Sequence, residues 1–376
     1  MFELVVIIFE VVVVLFIAIF ARTTDATTSL DTTYFTIVSD SLALMLAFTL
    51  MYTPYRKLSL ISFLLLLVVI AVAVQTNFLL DTFWTYCFQG FTSNFAVTSS
   101  LIIRSLYAGL ASLITVLDFM GLFPYWQVYF IIALTMSFGF SLTQDIIVYG
   151  LKTYDGGGGL TVFLYSGVCS LMIWAICLRG KIHPSKYKIK ESYINQTFSF
   201  IGVIVAFINW PKFNMGGAVA TTFLNVNTTA IVVAYLLNSA LANTLLALST
   251  AILTSILFAS KDSKEDKLKF KCYIDCFING GIVVASYQDT ALNPSACMVL
   301  ACLSTILTVV IHKYFITASD SDEESAAKVI MKNYSKVVFR IIFAFLGSII
   351  ASIVVASRNG YTPELLTADY PKIAGF

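Results

Sequence analysis

The residues best placed to do chemistry stand where a carboxylate precedes a run of glycines at the start of an apolar segment. Asp155 is followed by four glycines, 156–159, then by Leu160 and Thr161, and the apolar segment continues to about residue 179. Glycines let backbones approach closely, and an ionisable side chain at the mouth of a membrane span is by default a candidate functional group. The sequence therefore predicts a site at Asp155, with its carboxylate held at the boundary between water and lipid.

The sequence gives little evidence for phosphate binding, nucleophilic catalysis, a cofactor or a metal site. The glycine run lacks the Lys-Ser/Thr that completes a phosphate-binding loop, and no nucleophile with a base or cofactor motif is recognisable. Cys272 and Cys276 are spaced i,i+4, but no second Cys or His pair stands near them. We therefore expect no enzyme activity, no cofactor and no metal site.

Composition indicates which elements must position the site. Hydrophobic residues make up 59% of the 376 residues and charged residues 12%, and the mean hydropathy is +0.87. That leaves too little polar surface for a soluble globule, so we predict an all-α, polytopic membrane protein embedded in a lipid bilayer. The net charge of +2 is too small to indicate nucleic acid as a partner.

Apolar runs long enough to cross a bilayer recur along the whole chain. We predict about eleven spans: 2–21, 34–52, 58–80, 95–117, 125–151, the glycine-led segment, one that ends at 209–214, 231–260, 272–287, 294–315 and 329–356. The first starts at the initiator Met without a basic flank or a small-residue cleavage site, so residues 1–22 are interpreted as a retained helix. Its Glu3 and Glu10 share one helical face, and Glu10, the deeper, is expected to face other protein.

Basic residues indicate the orientation. Lys and Arg concentrate at 56–57, 179–190 and 261–271, in loops that follow even-numbered spans. By the positive-inside rule the N-terminus lies inside, and with eleven spans the C-terminus lies outside. The sequon at Asn227 then falls on the outer side, which is weak evidence for glycosylation.

The glycine-led segment and the residues after it resemble one family of membrane proteins. Residues 155–162 resemble the Asp-x-Gly-Gly-x-x-Thr-Ile that starts the pore helix of the ammonium transporter and Rhesus glycoprotein family, and 210–214 are similar to the Rhesus Trp-Pro-Ser-Phe-Asn. Weaker matches follow the family order: Asp40 with Met45, Phe48, Met51, Arg56 and Lys57; Asn243 and Thr244; Gly280, Gly281 and Pro294. The resemblance covers residues 34–357, before a polar tail at 358–376, and the extra first helix favours the Rhesus branch.

The resemblance implies a fold and an activity. The family fold has two inverted halves, each of about five spans, around a narrow pore, and it usually forms trimers. The family passes ammonia or another small neutral solute, such as carbon dioxide. It also implies that Asp155 accepts backbone hydrogen bonds near the outer mouth, a structural role that we favour over recruitment of a cation.

Several positions depart from the family pattern. Two pore histidines, whose imidazoles lie in contact in the family, are replaced by Phe163 and Ser335. Without them an ammonia-sized solute crosses with unmet hydrogen bonds. Of two aromatic residues that gate the outer pore, Phe213 is retained and the other aligns with Leu106. The chain also ends where the family would enter its last helix, whereas His183 and His312 are interpreted as interfacial.

The remaining motif residues have structural interpretations. The glycines, including Gly157, Gly158, Gly280 and Gly281, are expected to permit tight helix crossings. Trp210 is interpreted as an interface anchor and Phe213 as vestibule lining.

Two arginines within predicted spans need partners. Arg104 and Arg340 must meet a carboxylate or reach the interface, and the candidate carboxylates are Asp118, Asp145 and Asp275. Asp275 and Arg340 form one candidate pair, with Arg340 snorkelling to the interface as the alternative.

Two functions stay open at this stage. One is a channel for ammonia or carbon dioxide, in which Asp155, Phe213 and the glycines keep their family roles. The other is a subunit that has kept the fold and lost conduction, serving a structural or assembly role in a larger membrane protein complex.

The helix order predicts a homotrimer, because membrane helices associate through small residues and the chain keeps the family order. Native mass spectrometry of the purified protein should show three copies. A monomer bound to unrelated subunits would contradict this and favour the assembly role.

Overall fold

A helical bundle makes up most of the part of the chain that the computed structural model describes. The described residues are 2–23, 31–53, 60–89, 95–97, 99–120, 123, 125–147, 155–173, 175–176, 193–222, 230–259, 270–286, 294–311 and 341–342. Their helices are α1 Phe2–Phe20, α2 Asp31–Met51, α3 Leu60–Gln89, α4 Ser99–Phe119, α5 Trp126–Asp145, α6 Tyr165–Ile173, α7 Tyr193–Thr222, α8 Ala230–Ala259, α9 Phe270–Val284 and α10 Pro294–Ile311. A π-helical segment, Gly159–Leu164, leads into α6.

These helices have the length and composition of membrane spans. Five described segments are long and apolar enough to cross a bilayer: Ser62–Trp84, Ser100–Phe119, Trp126–Asp145, Tyr193–Gly216 and Leu237–Phe258. Large apolar side chains such as Leu64, Leu67 and Leu253 are exposed on the outside of the bundle, where lipid replaces water. The predicted all-α, polytopic membrane fold is confirmed. The predicted eleventh span lies outside the described residues, apart from 341–342.

The helices of the described residues pack in three groups. Helices α3, α4 and α5 pack together, as do α8, α9 and α10, and α2 packs along α7. Gly202 makes the α2–α7 crossing tight, because a Cβ placed there would lie 2.8 Å from the Ala47 carbonyl oxygen. Gly280 similarly faces the Cβ of Ala251 on α8. Glycines therefore lie where these helices approach each other closely.

Two helix boundaries differ from the sequence prediction. Helix α3 continues beyond residue 80 to Gln89, because Asp81 is paired inside the bundle and does not mark an end. Helix α7 continues past 214 to Thr222 with Pro211 in its interior. Proline is tolerated inside membrane helices, where neighbouring groups can satisfy the backbone that it frees.

Helix α1 is attached to the bundle at two places. Its Val13 is 3% exposed, and the rings of Phe9 and Phe130 lie 5.9 Å apart, edge to face. At the end of α1, β1 (Ala21–Thr23) pairs in parallel with β2 (Phe95–Val97). Glu10, however, is exposed, so it does not face the bundle of its own chain.

The buried arginine has a partner that the sequence analysis missed. Arg104 Nη1 lies 3.3 Å from Asp81 Oδ1, and both side chains are largely buried. Asp81 was overlooked because it follows a predicted span end, whereas the pair actually joins α3 to α4. Asp145 lies close enough to interact electrostatically with both groups.

The other candidate carboxylates have different surroundings. Asp118 accepts hydrogen bonds from the Tyr52 hydroxyl, at 3.3 Å, and the Ser170 hydroxyl, at 2.8 Å, so it links α2, α4 and α6. Asp275 is buried on α9. Its predicted partner Arg340 lies outside the described residues.

Removing one partner of the Arg104–Asp81 pair should destabilise the bundle. Arg104→Met leaves the Asp81 carboxylate without its guanidinium, which should cost about 3–5 kcal/mol and lower the melting temperature in detergent. Asp81→Asn combined with Arg104→Gln should recover part of the loss. The control Glu3→Gln removes an exposed charge in the first turn of α1 and should cost less than about 0.5 kcal/mol. Equal melting of Arg104→Met and the wild type would contradict a stabilising role.

Candidate pathway at the glycine-led helix

The Asp155 carboxylate caps the start of the glycine-led helix. Its Oδ2 accepts hydrogen bonds from the Thr161 backbone N–H at 2.8 Å and from the Thr161 hydroxyl at 2.9 Å. The Leu160 N–H lies 3.1 Å from both carboxylate oxygens. Asp155 is 7% exposed, so little water is available to replace it as the acceptor for these donors. A carboxylate at a helix N-terminus also suits the helix dipole.

Glycine is required where the chain turns into this helix. Gly158 has a φ of 74°, in the left-handed region that side chains with a Cβ rarely adopt. Its carbonyl oxygen accepts from both the Val162 N–H, at 2.9 Å, and the Phe163 N–H, at 3.1 Å. The second bond spans five residues, which makes the first turn π-helical and sets the direction of the Phe163 ring.

The glycine loop is also joined to helices from the later part of the chain. The Gly157 N–H donates to the Ala285 carbonyl at 2.7 Å, and a Cβ on Gly157 would lie 2.6 Å from both that oxygen and Asn214 Oδ1. Asn214 Nδ2 in turn donates to Thr244 Oγ1 at 3.0 Å. The Ser286 side chain hydrogen bonds to Asp155. Helices α7, α8 and α9 therefore meet at the mouth of the glycine-led helix.

A cluster of aromatic rings fills the interior next to this mouth. Phe163 stacks on Trp210 with ring centroids 5.7 Å apart and an interplanar angle of 26°. Phe48 lies 5.3 Å from Trp210 and 6.2 Å from Phe163, and Phe277 packs edge-on to Trp210 at 5.8 Å. We call these four residues the aromatic plug. Phe163 is 0% exposed, so water does not reach the ring.

The interpretation of Trp210 as an interface anchor is wrong. Its ring is 0% exposed, and among the described residues its buried indole N–H has no hydrogen-bond acceptor. A Cβ on Gly281 would lie 2.8 Å from Trp210 Cζ2, so the Gly280–Gly281 step makes room for the indole. A membrane anchor would instead keep its N–H at the polar interface.

The aromatic partner of Phe213 is one residue away from the predicted position. Leu106 is buried, but the ring next to Phe213 belongs to Tyr107, with centroids 4.5 Å apart and an interplanar angle of 30°. The Tyr107 hydroxyl donates to the Phe213 carbonyl at 2.9 Å. An alignment by spacing alone missed this by one position, although a tyrosine beside the aligned leucine was a usable signal.

Two other predicted positions, Asp40 and Ser335, have different outcomes. Asp40 forms an ion pair with Lys212 Nζ, 2.9 Å from its Oδ2, which joins α2 to α7 beside Phe213. Lys212 stands at the serine of the Rhesus motif, so this pair is particular to the chain's own residues. Ser335 lies outside the described residues, and the structure therefore leaves its position as a prediction.

The chemistry available along this path is limited. Within the described part of the chain, the rings of the aromatic plug offer no acceptor and only the Trp210 N–H as donor. At the mouth, the Asp155 carboxylate accepts from the Thr161 N–H and hydroxyl, and Asn214 Nδ2 donates to Thr244 Oγ1. Such an arrangement can stabilise helices and exclude water, but it offers a translocating solute few hydrogen bonds.

The fold and the site define a polytopic helical membrane protein whose two parts meet at a capped, glycine-led helix. The model of the Ammonium Transporter Family matches residues 1–327. The chain belongs to this family, with Rhesus-like features.

Relatives and solved structures agree with this assignment. Ammonium transporter Rh type B of Danio rerio is 26% identical over 175 residues, which are 46% of this chain and 35% of that protein. Ammonium transporter Rh type C of Gasterosteus aculeatus is 25% identical over 169 residues, 45% of this chain and 32% of that protein. The alignments therefore span about a third of the length of these relatives.

The fold extends further than the sequence identity. The structure of Nitrosomonas europaea Rh50 matches with a TM-score of 0.61 at 14% identity, covering 86% of this chain and 88% of that one. Saccharomyces cerevisiae Mep2 matches with a TM-score of 0.54 at 16% identity, covering 89% and 91%. At these identities the comparison shows a shared fold alone.

Replacing Asp155 should destabilise the protein. Asp155→Ala leaves the Leu160 and Thr161 donors without their acceptor, at a cost of about 1–3 kcal/mol, and should lower the melting temperature and the folded yield. Asp155→Asn keeps one acceptor oxygen and should fall between Ala and wild type. Unchanged melting of Asp155→Ala would show that the cap does not contribute to stability.

Proposed function

We propose that this protein is a Rhesus-like integral membrane protein in which the family activity, passage of ammonia or another small neutral solute, is impaired. The observation that carries the proposal is the complete burial of Phe163 against Trp210 at the position of the first pore histidine. A side chain that lines a water-wide path would retain some solvent exposure. Names of relatives such as ammonium transporter Rh type B support the activity from which this chain departs.

Physical chemistry supports impairment in two ways. A phenylalanine ring offers the N–H of ammonia only a weak π acceptor and has no donor for its lone pair. Unmet hydrogen bonds of a polar group in an apolar tube cost roughly 2–7 kcal/mol. The ring also occupies volume that a solute must cross, and Phe48 and Trp210 pack on two of its sides. Both effects act at the same point of the path.

The second candidate is a non-transporting structural or assembly subunit of a membrane protein complex. One observation favours it: the groups that hold the fold together are in place around the plug. Asp155 keeps its bonds to Leu160 and Thr161, and Gly157 keeps its bond to Ala285. A chain that keeps the hydrogen bonds of its fold while aromatic rings fill its interior is suited to a structural role.

Ammonia flux into liposomes tests impairment. The wild-type protein should alkalinise the vesicle lumen, in stopped-flow measurements, no faster than protein-free vesicles. Phe163→His with Ser335→His should raise the flux, because it places polar groups at both proposed imidazole positions and replaces one phenyl ring of the plug by the smaller imidazole. Phe130→His is the control, since Phe130 is 1% exposed but lies outside the plug.

Two outcomes would overturn this explanation. Wild-type ammonia flux well above the protein-free rate would show that the protein conducts ammonia. A double variant that melts like the wild type and stays silent would show that Phe163 and Ser335 do not limit passage, leaving the structural role as the better account.

A further inference from the structure

A charged side chain stands near the middle of the first helix. Helix α1 has 19 residues, which at 1.5 Å per residue makes it about 28 Å long, close to the apolar thickness of a bilayer. Glu10 lies eight residues after Phe2 and ten before Phe20, or about 12 and 15 Å from the two ends. A glutamate side chain is too short to reach either interface from there.

The protein's own bundle does not shelter this carboxylate. The side of α1 that packs inward carries Val6, Phe9 and Val13, whereas Glu10 is exposed. A charged residue at the centre of a membrane helix costs about 2.5–3.5 kcal/mol on translocon scales, and such residues almost always face protein or a water-filled cavity. Exposure to lipid is therefore the least favourable surrounding for Glu10.

Glu10 lies on a continuous exposed stripe of α1. Positions 3, 7, 10, 14 and 17 share one side of the helix, because steps of four and three residues return to the same side, and helices pack along such stripes. We call them the Glu10 seam: Glu3, Ile7, Glu10, Val14 and Ile17. All five are exposed, with Ile7 at 59% and Val14 at 61%. The seam lies roughly 100° around the helix from the inward side.

The seam is presented in a fixed direction. The Phe9–Phe130 contact holds the middle of α1, and the ladder from Ala21↔Phe95 to Thr23↔Val97 holds the strand that follows it. With both places attached, α1 cannot turn Glu10 inward without breaking these contacts. A partner must therefore come to the seam.

We propose that the Glu10 seam binds a transmembrane helix of a different membrane protein, one that carries a lysine, an arginine or another strong hydrogen-bond donor at mid-membrane depth. Charge complementarity specifies this partner, because such a donor satisfies the carboxylate that lipid cannot. A second copy of this chain fits less well. In the described helices, Arg104 and Lys212 are the cations that lie away from helix ends, and each is paired with its own aspartate. The inference is independent of whether the pathway conducts.

Model helices in liposomes test the charge requirement. The probes are two single-span leucine-rich peptides, identical except that one has a central lysine, each labelled for energy transfer to the purified full chain. The lysine peptide should associate with the wild-type protein, and the all-leucine peptide should associate about tenfold more weakly or not at all. Glu10→Gln should reduce binding of the lysine peptide about tenfold and should leave the weak association of the all-leucine peptide unchanged.

A matched pair of apolar variants tests the seam itself. Ile7→Ala with Val14→Ala should weaken binding of the lysine peptide. Val5→Ala with Val12→Ala should not, although Val5 is 46% and Val12 53% exposed, because these valines lie on the far flank of the helix.

Two results would overturn the proposal. One is equal association of the lysine and leucine peptides with the wild-type protein. The other is energy transfer between two labelled copies of the full chain, without peptide, that Glu10→Gln abolishes. The second result would assign the seam to self-association.

Discussion

The structure depends on one constraint: backbone donors at a helix start inside a membrane protein must find acceptors without water. The glycine-led helix meets it with a single carboxylate, since Asp155 accepts from Leu160 and Thr161. The left-handed Gly158 allows the chain to bring that carboxylate back over the helix it precedes. The absence of a Cβ at Gly157 lets Ala285 and Asn214 approach the same loop. The direction of the following helix, and with it the position of Phe163, results from these contacts.

The aromatic plug and the Asp155 cap are held by separate sets of contacts. Phe163, Trp210, Phe48 and Phe277 pack through apolar contacts that do not involve the capping bonds of Asp155. Aromatic pairs of this kind contribute about 0.5–1.5 kcal/mol each beyond their burial. On the proposed function, a phenyl ring in place of a pore imidazole would remove a polar relay while adding packing. Fold and activity can part in this way, because the contacts that hold a fold are not those that perform its chemistry.

Whether a feature could be predicted from the sequence depended on how far apart in the chain the interacting residues lie. The polytopic helical fold could be predicted, because the apolar runs that define its spans are local features of the chain. The bonds that Asp155 accepts from Leu160 and Thr161 were implied by the family resemblance of residues 155–162. The partner of Arg104 could not be predicted, since Asp81 stands 23 positions earlier and looked like the end of a span. Trp210 was misplaced for a related reason: the space that Gly281 opens for it lies on another helix. The continuation of α7 through Pro211 likewise depends on neighbours that a local pattern does not show.

The bond between Gly157 and Ala285 has a consequence for biosynthesis. Its acceptor follows its donor by 285 − 157 = 128 residues, and at about 5–20 residues per second a ribosome needs roughly 6–26 s to supply it. Before Ala285 is synthesised, the glycine loop lacks the hydrogen bond to its carbonyl. The hydrogen bond between Ser286 and Asp155 also has to wait, because Ser286 is the next residue. The first half of the bundle therefore waits, incompletely docked, for the second half to be inserted. Quality control of the nascent protein has an opportunity to act during that interval.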